Sequence, residues 1–390
     1  MVKFIKGFLS IGAIIFLLYI FTFHIDGEMG AILIAFLVFP PLISLIIALI
    51  SRKNINAEIK CDAYVKKGKK LLLNVSVHKS KYVSLSIVEL HLFRSEVFDN
   101  ENKVYRLSLL NENKTEFNIE IDSLIGGNGE VLISQIYCLD FLGFFKFKAP
   151  KHSTAPILVG VVPEIPEITA SSQLFRNISS AVANDEIDDD NETTMMFSTN
   201  VVAGYEHRDY IQGDPIKRIN WKLSARKGKM MVRLDEAAVT SQPTIILDLY
   251  RSGNANPEQA VLLEEKLLTS VFGLVSLLVK QGIACNFVYI GSSGEVEIES
   301  VDNPAYPMQL LLKILSIKVK TDRRIDISEQ CNSSCAFIVA TTDAGAGFKE
   351  VISKISNFEN TSIIAPNASI TNSTDLPLWY LDDDNNFNLV

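Results

Sequence analysis

Two long apolar runs open the chain, and behind them the spacing of apolar positions changes twice. Phe4 to Phe23 is apolar apart from Lys6 and a few small polar residues, and Ala31 to Ile50 carries no charge. At a rise of about 1.5 Å per residue, some 20 residues match the roughly 30 Å hydrocarbon core of a bilayer. Residues 1–54 are therefore expected to form a two-helix transmembrane hairpin around the short acidic connection from His24 to Gly30. Lys3 and Lys6 flank the first run and Arg52 and Lys53 follow the second, which by the positive-inside tendency sets both ends in the cytoplasm. A cleaved signal peptide is the rival reading. The apolar run is too long for one, no Ala-x-Ala site follows, and a second run begins at once. Pro40-Pro41 removes two backbone donors from the second helix and predicts a kink, read as a hinge, a packing notch or a tolerated irregularity.

From residue 55 to 163 the period becomes two. Leu73, Val75 and Val77 alternate with polar residues, as do Phe117, Ile119 and Ile121. Between Val83 and Leu92 the apolar phase moves from odd to even positions after Ile87, which predicts a β-bulge there. Lys67-Gly68 and Gly126-Gly127-Asn128-Gly129 read as turns, and Asp140 to Phe145 as a tight turn between apolar strands. Short strands with one polar face imply an all-β immunoglobulin-like sandwich.

Residues 164–200 read as a linker. It carries an acidic run (Asp185, Glu186, Asp188, Asp189, Asp190, Glu192) that is either solvated or a clamp folding back on later basic residues. In residues 201–390 strand and helix patterns alternate. Pro243 to Tyr250 reads as a buried strand. A helix follows, capped by Asn256, with Pro257 first, Leu263, Leu267, Val271, Leu274 and Leu278 on one face and Gly282 as the stop. Further strands are expected at 283–290, after Gly294, at 336–341 and at 362–365, with helices near 307–317 and 348–355. The alternation implies an α/β doubly wound, mostly parallel sheet, whose binding edge lies at the carboxyl ends of the strands, where Asp248 and Asp343 fall.

Composition narrows the function. A formal net charge of -8 argues against a general nucleic-acid binder. Five scattered cysteines fit reduced thiols better than a disulfide framework. Against this acidic background, residues 204–236 concentrate Arg208, Lys217, Arg218, Lys222, Arg226, Lys227, Lys229 and Arg233 around Trp221. Asp214 is expected to cap a short helix with Pro215 first and with Ile216, Ile219 and Leu223 packed down near Trp221. Lys227-Gly228 then turns into a strand bearing Met230, Val232 and Leu234. About half of the cations are expected to pair with Glu206, Asp209, Asp214, Asp235 and Glu236.

Gly204-Tyr-Glu206, Arg208-x-Tyr210, Gly213-Asp214, Arg218-Ile-Asn-Trp221, Ser224-Ala-Arg226 and Val232-Arg233 resemble the signature of the bacterial domain-of-unknown-function 58 family. Asp140-Phe-Leu-Gly143-Phe144 and Val161-Val-Pro163 resemble its upstream elements. The resemblance implies a von Willebrand factor A-like C-terminal fold. It also implies an association with a MoxR-type AAA+ ATPase, sometimes with a transglutaminase-like membrane protein, at the bacterial cytoplasmic (inner) membrane.

Such domains hold a divalent cation through Asp-x-Ser-x-Ser, a later threonine and an aspartate after the fourth strand; hard oxygen ligands of this kind suit Mg²⁺. Here Asp248, Ser252 and Asp343 match, Tyr250 replaces the first serine, Arg251 adds a positive charge, and no threonine between 290 and 310 fits. A degenerate Mg²⁺ site and a salt-bridge role both stand. No phosphate-binding loop, His-Glu-x-x-His helix or Gly-x-Ser-x-Gly elbow is present, and Cys331-x-x-x-Cys335 lacks a second ligand pair. The expected function is a non-enzymatic membrane-anchored adaptor, with no cofactor and no specific nucleic acid. Its alternatives are a metal-assisted hydrolase using Asp248, Asp343 and His207, or an anionic-ligand module (nucleic acid or lipid headgroup) using residues 217–233.

Overall fold

The computed structural model describes residues 2–24, 27–53, 55–79, 86–99, 103–109, 114–150, 155–188, 201–211, 219–237, 242–251, 256–317, 323–326, 334–345, 347–353, 355, 360–370 and 372–390. They form two compact units, residues 1–164 with 315–318, and residues 165–314 with 319–390.

The first unit opens with α1 (Val2–His24) and α2 (Gly27–Ser51). These helices approach closely where Gly30 meets Thr22, because a Cβ on Gly30 would overlap the threonine. Among the described residues α2 is long and apolar enough to cross a membrane, and Gly12–Phe23 of α1 is a shorter apolar stretch. Helix α2 runs through Pro40 and Pro41 without a break.

Among the described residues nine strands follow: β1 (Ile55–Lys60), β2 (Tyr64–Lys66), β3 (Lys70–Lys79), β4 (Ser86–Arg94), β5 (Val104–Leu109), β6 (Lys114–Asp122), β7 (Gly127–Leu139), β8 (Lys146–Lys148) and β9 (Ile157–Val162). They make a sheet of order β1-β3-β6 and another of order β2-β9-β7-β4-β5, with β8 paired to β7. Alternation works as expected in β3, where Leu71, Leu73, Val75 and Val77 are buried, and in β6, where Ile119 and Ile121 are.

Two local expectations need correcting. Ile87 and Val88 pair in unbroken register with Leu139 and Cys138, so no bulge lies between them. The irregularity falls opposite His91 and Leu92, with Ser134 the extra residue of β7 and its hydroxyl donating to the His91 carbonyl at 3.0 Å. What disturbs the phase in β4 is Glu89, a buried carboxylate ion-paired to Arg106 and Lys146. The second correction concerns Gly127 and Gly129, which belong to β7 and not to a turn. A Cβ on Gly129 would stand 2.5 Å from the Phe98 ring, so glycine here permits close packing inside a strand.

The second unit contains α3 (Gln173–Asp188), β10 (Val201–Asp209), α4 (Trp221–Lys227), β11 (Met231–Ala237), β12 (Thr244–Asp248), α5 (Pro257–Lys280), β13 (Cys285–Ile290), β14 (Val296–Val301), α6 (Tyr306–Leu315), β15 (Phe337–Thr341), α7 (Phe348–Ile352), β16 (Thr361–Ala365), β17 (Leu378–Leu381) and β18 (Phe387–Leu389). Within the stretch expected as a linker, 164–200, residues 173–188 form helix α3. Leu174, Ile178 and Ala181 recur at helical spacing and are buried, and the Ser172 hydroxyl accepts from the Phe175 amide. Asp189, Asp190 and Glu192 lie outside the described residues.

The main sheet has the order β14-β13-β12-β15-β16-β17-β18, with β13, β12, β15, β16 and β17 parallel and β14 and β18 antiparallel at the edges. All five residues of β12 and of β15 are buried, as strands covered on both faces require. From β12 the chain passes through α5 to β13 on one side, then returns to β15 on the other. The winding direction therefore reverses between β12 and β15, the place where open α/β sheets form a binding crevice. Strands β17 and β18, for which the sequence pattern gives no expectation, bury Leu378, Trp379 and Phe387.

Candidate functional site at the β12–β15 edge

Asp248 ends β12 and Asp343 lies two residues beyond β15, so the reversal of winding brings the two expected metal ligands together. Ser252, the third, lies outside the described residues. Between the carboxylates stands Arg324, from the segment connecting α6 to β15. Its Nη1 donates to Asp248 Oδ2 at 3.1 Å and to the Asp343 carbonyl at 3.0 Å, and its Nη2 donates to Asp343 Oδ2 at 3.0 Å.

The remaining acceptor positions are also engaged. Asp248 Oδ1 accepts from the Ile325 amide at 3.3 Å, and its Oδ2 also accepts from Thr341 Oγ1 at 3.1 Å. Asp343 Oδ1 accepts from the Gly345 amide at 2.8 Å. The guanidinium lies over the Tyr250 ring, 4.3 Å from its centroid, with the Phe348 ring at 5.7 Å. Tyrosine at the position of the motif's first serine thus supplies a cation–π face in place of an oxygen ligand.

Asp248 is 0% exposed. Burial pushes its carboxyl above the usual carboxylate range, and Arg324, the Ile325 amide and Thr341 offset that only in part. Arg251, expected to crowd a cation, is turned to α5, where its Nη2 donates to Glu264 Oε2 at 2.7 Å and its Nε donates to the other oxygen. Beside this network opens a cleft of about 310 Å³ lined by Tyr250, Gln259, Glu264, Thr342 and Asp343 among others. Among the described residues no group of three or more His, Cys, Asp or Glu side chains could hold a metal ion. Sequence reasoning missed Arg324. Its only signal was an Arg323-Arg324 pair ahead of β15, with nothing local to tie it to Asp248.

The signature residues occupy a second, smaller construction. β10 and β11 form an antiparallel pair with a register shift between Ala203 and His207. Helix α4 starts one residue after Asn220, whose Oδ1 accepts from the Leu223 amide at 3.0 Å, and stops at Gly228, which has φ 67°. The expected helix start at Asp214 lies outside the described residues, but Ile219, expected on that helix's packed face, forms a β-bridge with Val232 instead. Gly213, Asp214 and Arg218 lie outside the described residues.

Ser224 is buried. Its hydroxyl donates to the Asn220 carbonyl at 2.7 Å and accepts from the Met231 amide at 2.8 Å, tying α4 to β11. The Tyr210 amide donates to the Met230 carbonyl at 2.9 Å. Arg208 donates to the Asp209 carbonyl, and Lys229 pairs with the Asp209 carboxylate at 2.7 Å. Arg233 faces His207 across the pair in register. His207 Nε2 lies 2.8 Å from Asn220 Nδ2. Trp221, expected to pack near the apolar face, is instead 63% exposed, and Lys222, Arg226 and Lys227 are exposed with it.

Residues 206–287 match the family described as "Protein of unknown function DUF58", the family that the motifs of this segment resemble. The match runs from β10 into β13 and includes α4, β11 and Asp248; Arg324 and Asp343 lie beyond it. No curated protein matches the chain. Similar solved structures include the cohesin module of a family 33 glycoside hydrolase from Clostridium perfringens, at 12% identity over 29% of this chain and 99% of that one, with a TM-score of 0.24. A CARDB domain from Pyrococcus furiosus, in complex with di-metal ions, is 17% identical over 28% of this chain and 94% of that one, with a TM-score of 0.21. TM-scores of this size bear on neither fold nor function.

Proposed function

We propose that this chain is a membrane-anchored, non-enzymatic adaptor whose C-terminal unit, of von Willebrand factor A-like fold, works with a MoxR-type AAA+ ATPase in assembling or remodelling membrane or envelope complexes. In this reading α1 and α2 span the bacterial cytoplasmic membrane as a hairpin with both termini and both soluble domains in the cytoplasm. The nine strands that follow are an immunoglobulin-like spacer. Numbered within its own sheet, the C-terminal unit has the order 3-2-1-4-5-6-7. Its first six strands have the order of doubly wound nucleotide-binding sheets, which supports the α/β part of the reading.

The observation that carries the adaptor role is Trp221. A tryptophan 63% exposed, on a short capped helix beside exposed Lys222, Arg226 and Lys227, has the composition of a protein-binding hot spot. Ser224 and Asn220 hold that helix rigidly, so the surface is pre-formed. The Asp248–Arg324–Asp343 network supports a structural use of the β12–β15 edge in place of metal chemistry.

Placing a photoreactive amino acid at position 221 of the full chain in its native membrane, then identifying the crosslinked proteins, tests the proposal. An AAA+ ATPase is the expected product, with a transglutaminase-like membrane protein as a further component. Crosslinks that never include an AAA+ protein would overturn it. A second reading, an anionic ligand on the same cations, predicts binding that weakens steeply with salt.

A further inference from the structure

The turn joining β7 to β8 is built unlike a water-exposed hairpin. Phe141, Leu142, Phe144 and Phe145 are 55%, 41%, 52% and 40% exposed, around Gly143 at φ 74°. A soluble turn puts polar residues at such positions.

Its polar groups, by contrast, are turned inward. Asp140 is buried, and its carboxylate accepts from the Leu142 amide at 3.2 Å, the Phe145 amide at 2.5 Å and the Ser44 hydroxyl at 3.0 Å. The Asp140 amide donates to the Phe145 carbonyl, and the Gly143 amide to the Asp140 carbonyl, each at 3.0 Å. Satisfying polar groups internally while presenting carbon outward is what a hydrocarbon surrounding demands.

Ser44 belongs to α2, so the same hydrogen bond pins the turn to the apolar helix. Ser44 lies seven positions before Ser51, a depth of about 10 Å below the end of α2 that Arg52 and Lys53 follow. Between the turn and α2 lies a cleft of about 600 Å³, lined by Phe36, Phe39, Pro40, Ile43, Phe141 and Leu142 among others, with Ser44 the one polar side chain among the described residues that line it. At the other boundary Lys146 lies 4.3 Å over the Tyr137 ring, the pairing of basic and amphipathic aromatic groups found at headgroup level.

We propose that the Phe141–Phe145 turn dips into the bilayer beside α2, so that lipid acyl chains fill the cleft. The β-domain then touches the membrane directly as well as being tethered to it. The inference rests on the reading of α2 as a membrane span. The continuity of the cleft with that helix's apolar surface is what assigns lipid as its occupant.

The test uses the full chain reconstituted in phosphatidylcholine and phosphatidylglycerol vesicles, with and without brominated acyl chains. Phe144→Trp and, independently, Phe141→Trp are compared with Phe36→Trp in α2 and Leu72→Trp on the exposed face of β3. The signal of the two native tryptophans is subtracted using the parent chain. Quenching of Phe144→Trp or Phe141→Trp comparable to that of Phe36→Trp, with Leu72→Trp unaffected, is the expected result. If Phe36→Trp is quenched and both turn variants are not, the turn lies outside lipid and the proposal falls while the span survives. A blue-shifted but unquenched turn tryptophan overturns it the same way, since protein then covers the turn. No quenching at Phe36→Trp removes the span reading and this proposal together.

Discussion

Arg324 and Asp248 stand 76 positions apart in the chain, yet the guanidinium of one donates to the buried carboxylate of the other at 3.1 Å. The same guanidinium reaches Asp343, so a single side chain supplies the positive charge that a divalent cation would bring to this edge. Coulomb repulsion from a cation this close opposes a second one.

Arg324→Ala is expected to destabilise the second unit by about 3–5 kcal/mol at neutral pH, because it leaves a buried charge without its partner. Asp248→Asn combined with Arg324→Met is expected to recover most of that loss, the non-additivity marking a coupled pair. Thermal unfolding of the single and double variants checks this.

The pH dependence of the same variant follows from the direction of the shift. The folded-state carboxyl of Asp248 already lies above its ordinary value of 3.8, so its contribution is most favourable below that value and is lost as pH rises through the folded pKa. Removing Arg324 takes away the largest opposing influence and raises the carboxyl further. The melting temperature of Arg324→Ala should therefore fall with rising pH over a wider range than that of the parent chain.

Metal addition discriminates between the two roles left open for Asp248, Ser252 and Asp343. The parent chain is expected to give no heat on titration with Mg²⁺ or Mn²⁺. In Arg324→Ala the freed carboxylates and the Thr341 hydroxyl, all hard oxygen donors, should let Mn²⁺ raise the melting temperature. Binding by the parent would show that the guanidinium gives way to a cation.

Trp221→Ala should leave stability within about 0.5 kcal/mol of the parent, as expected of an exposed side chain. The same change should weaken partner capture at least about tenfold if Trp221 anchors the interface. Ser224→Ala should behave in the opposite way. It strips the Met231 amide of its partner in a buried position, with a loss of about 1–3 kcal/mol measurable by unfolding.

In the β-domain, burial pushes the Glu89 carboxyl upward, but hydrogen bonds and charge from Lys146 and Arg106 outweigh it and hold the group below its ordinary value of 4.5. Its contribution is present above that value and is lost as pH falls through the lower folded pKa. Glu89→Gln should cost about 1.5–3 kcal/mol near neutrality and flatten the acid limb of the stability profile, as unfolding followed against pH would reveal.

Local pattern determined a large part of this chain. The length and apolarity of 31–50, the alternation in β3 and β6, the Asn256-Pro257 start of α5 and the signature motifs of 204–236 are all readable because each depends on near neighbours in sequence. The missed α3 stripe at Leu174, Ile178 and Ala181 was equally local and was masked by the acidic residues beside it. The tertiary structure alone decided the rest. Trp221 stands exposed at the start of a helix capped by Asn220, whose amide is itself held by the Met231 carbonyl of β11. Asp140 is satisfied by a serine 96 positions earlier. Asp248 meets Arg324 only because the sheet reverses its winding between β12 and β15. Spacing within a segment encodes which face a residue occupies, but which charge meets which across the fold depends on chain crossings that no short window records.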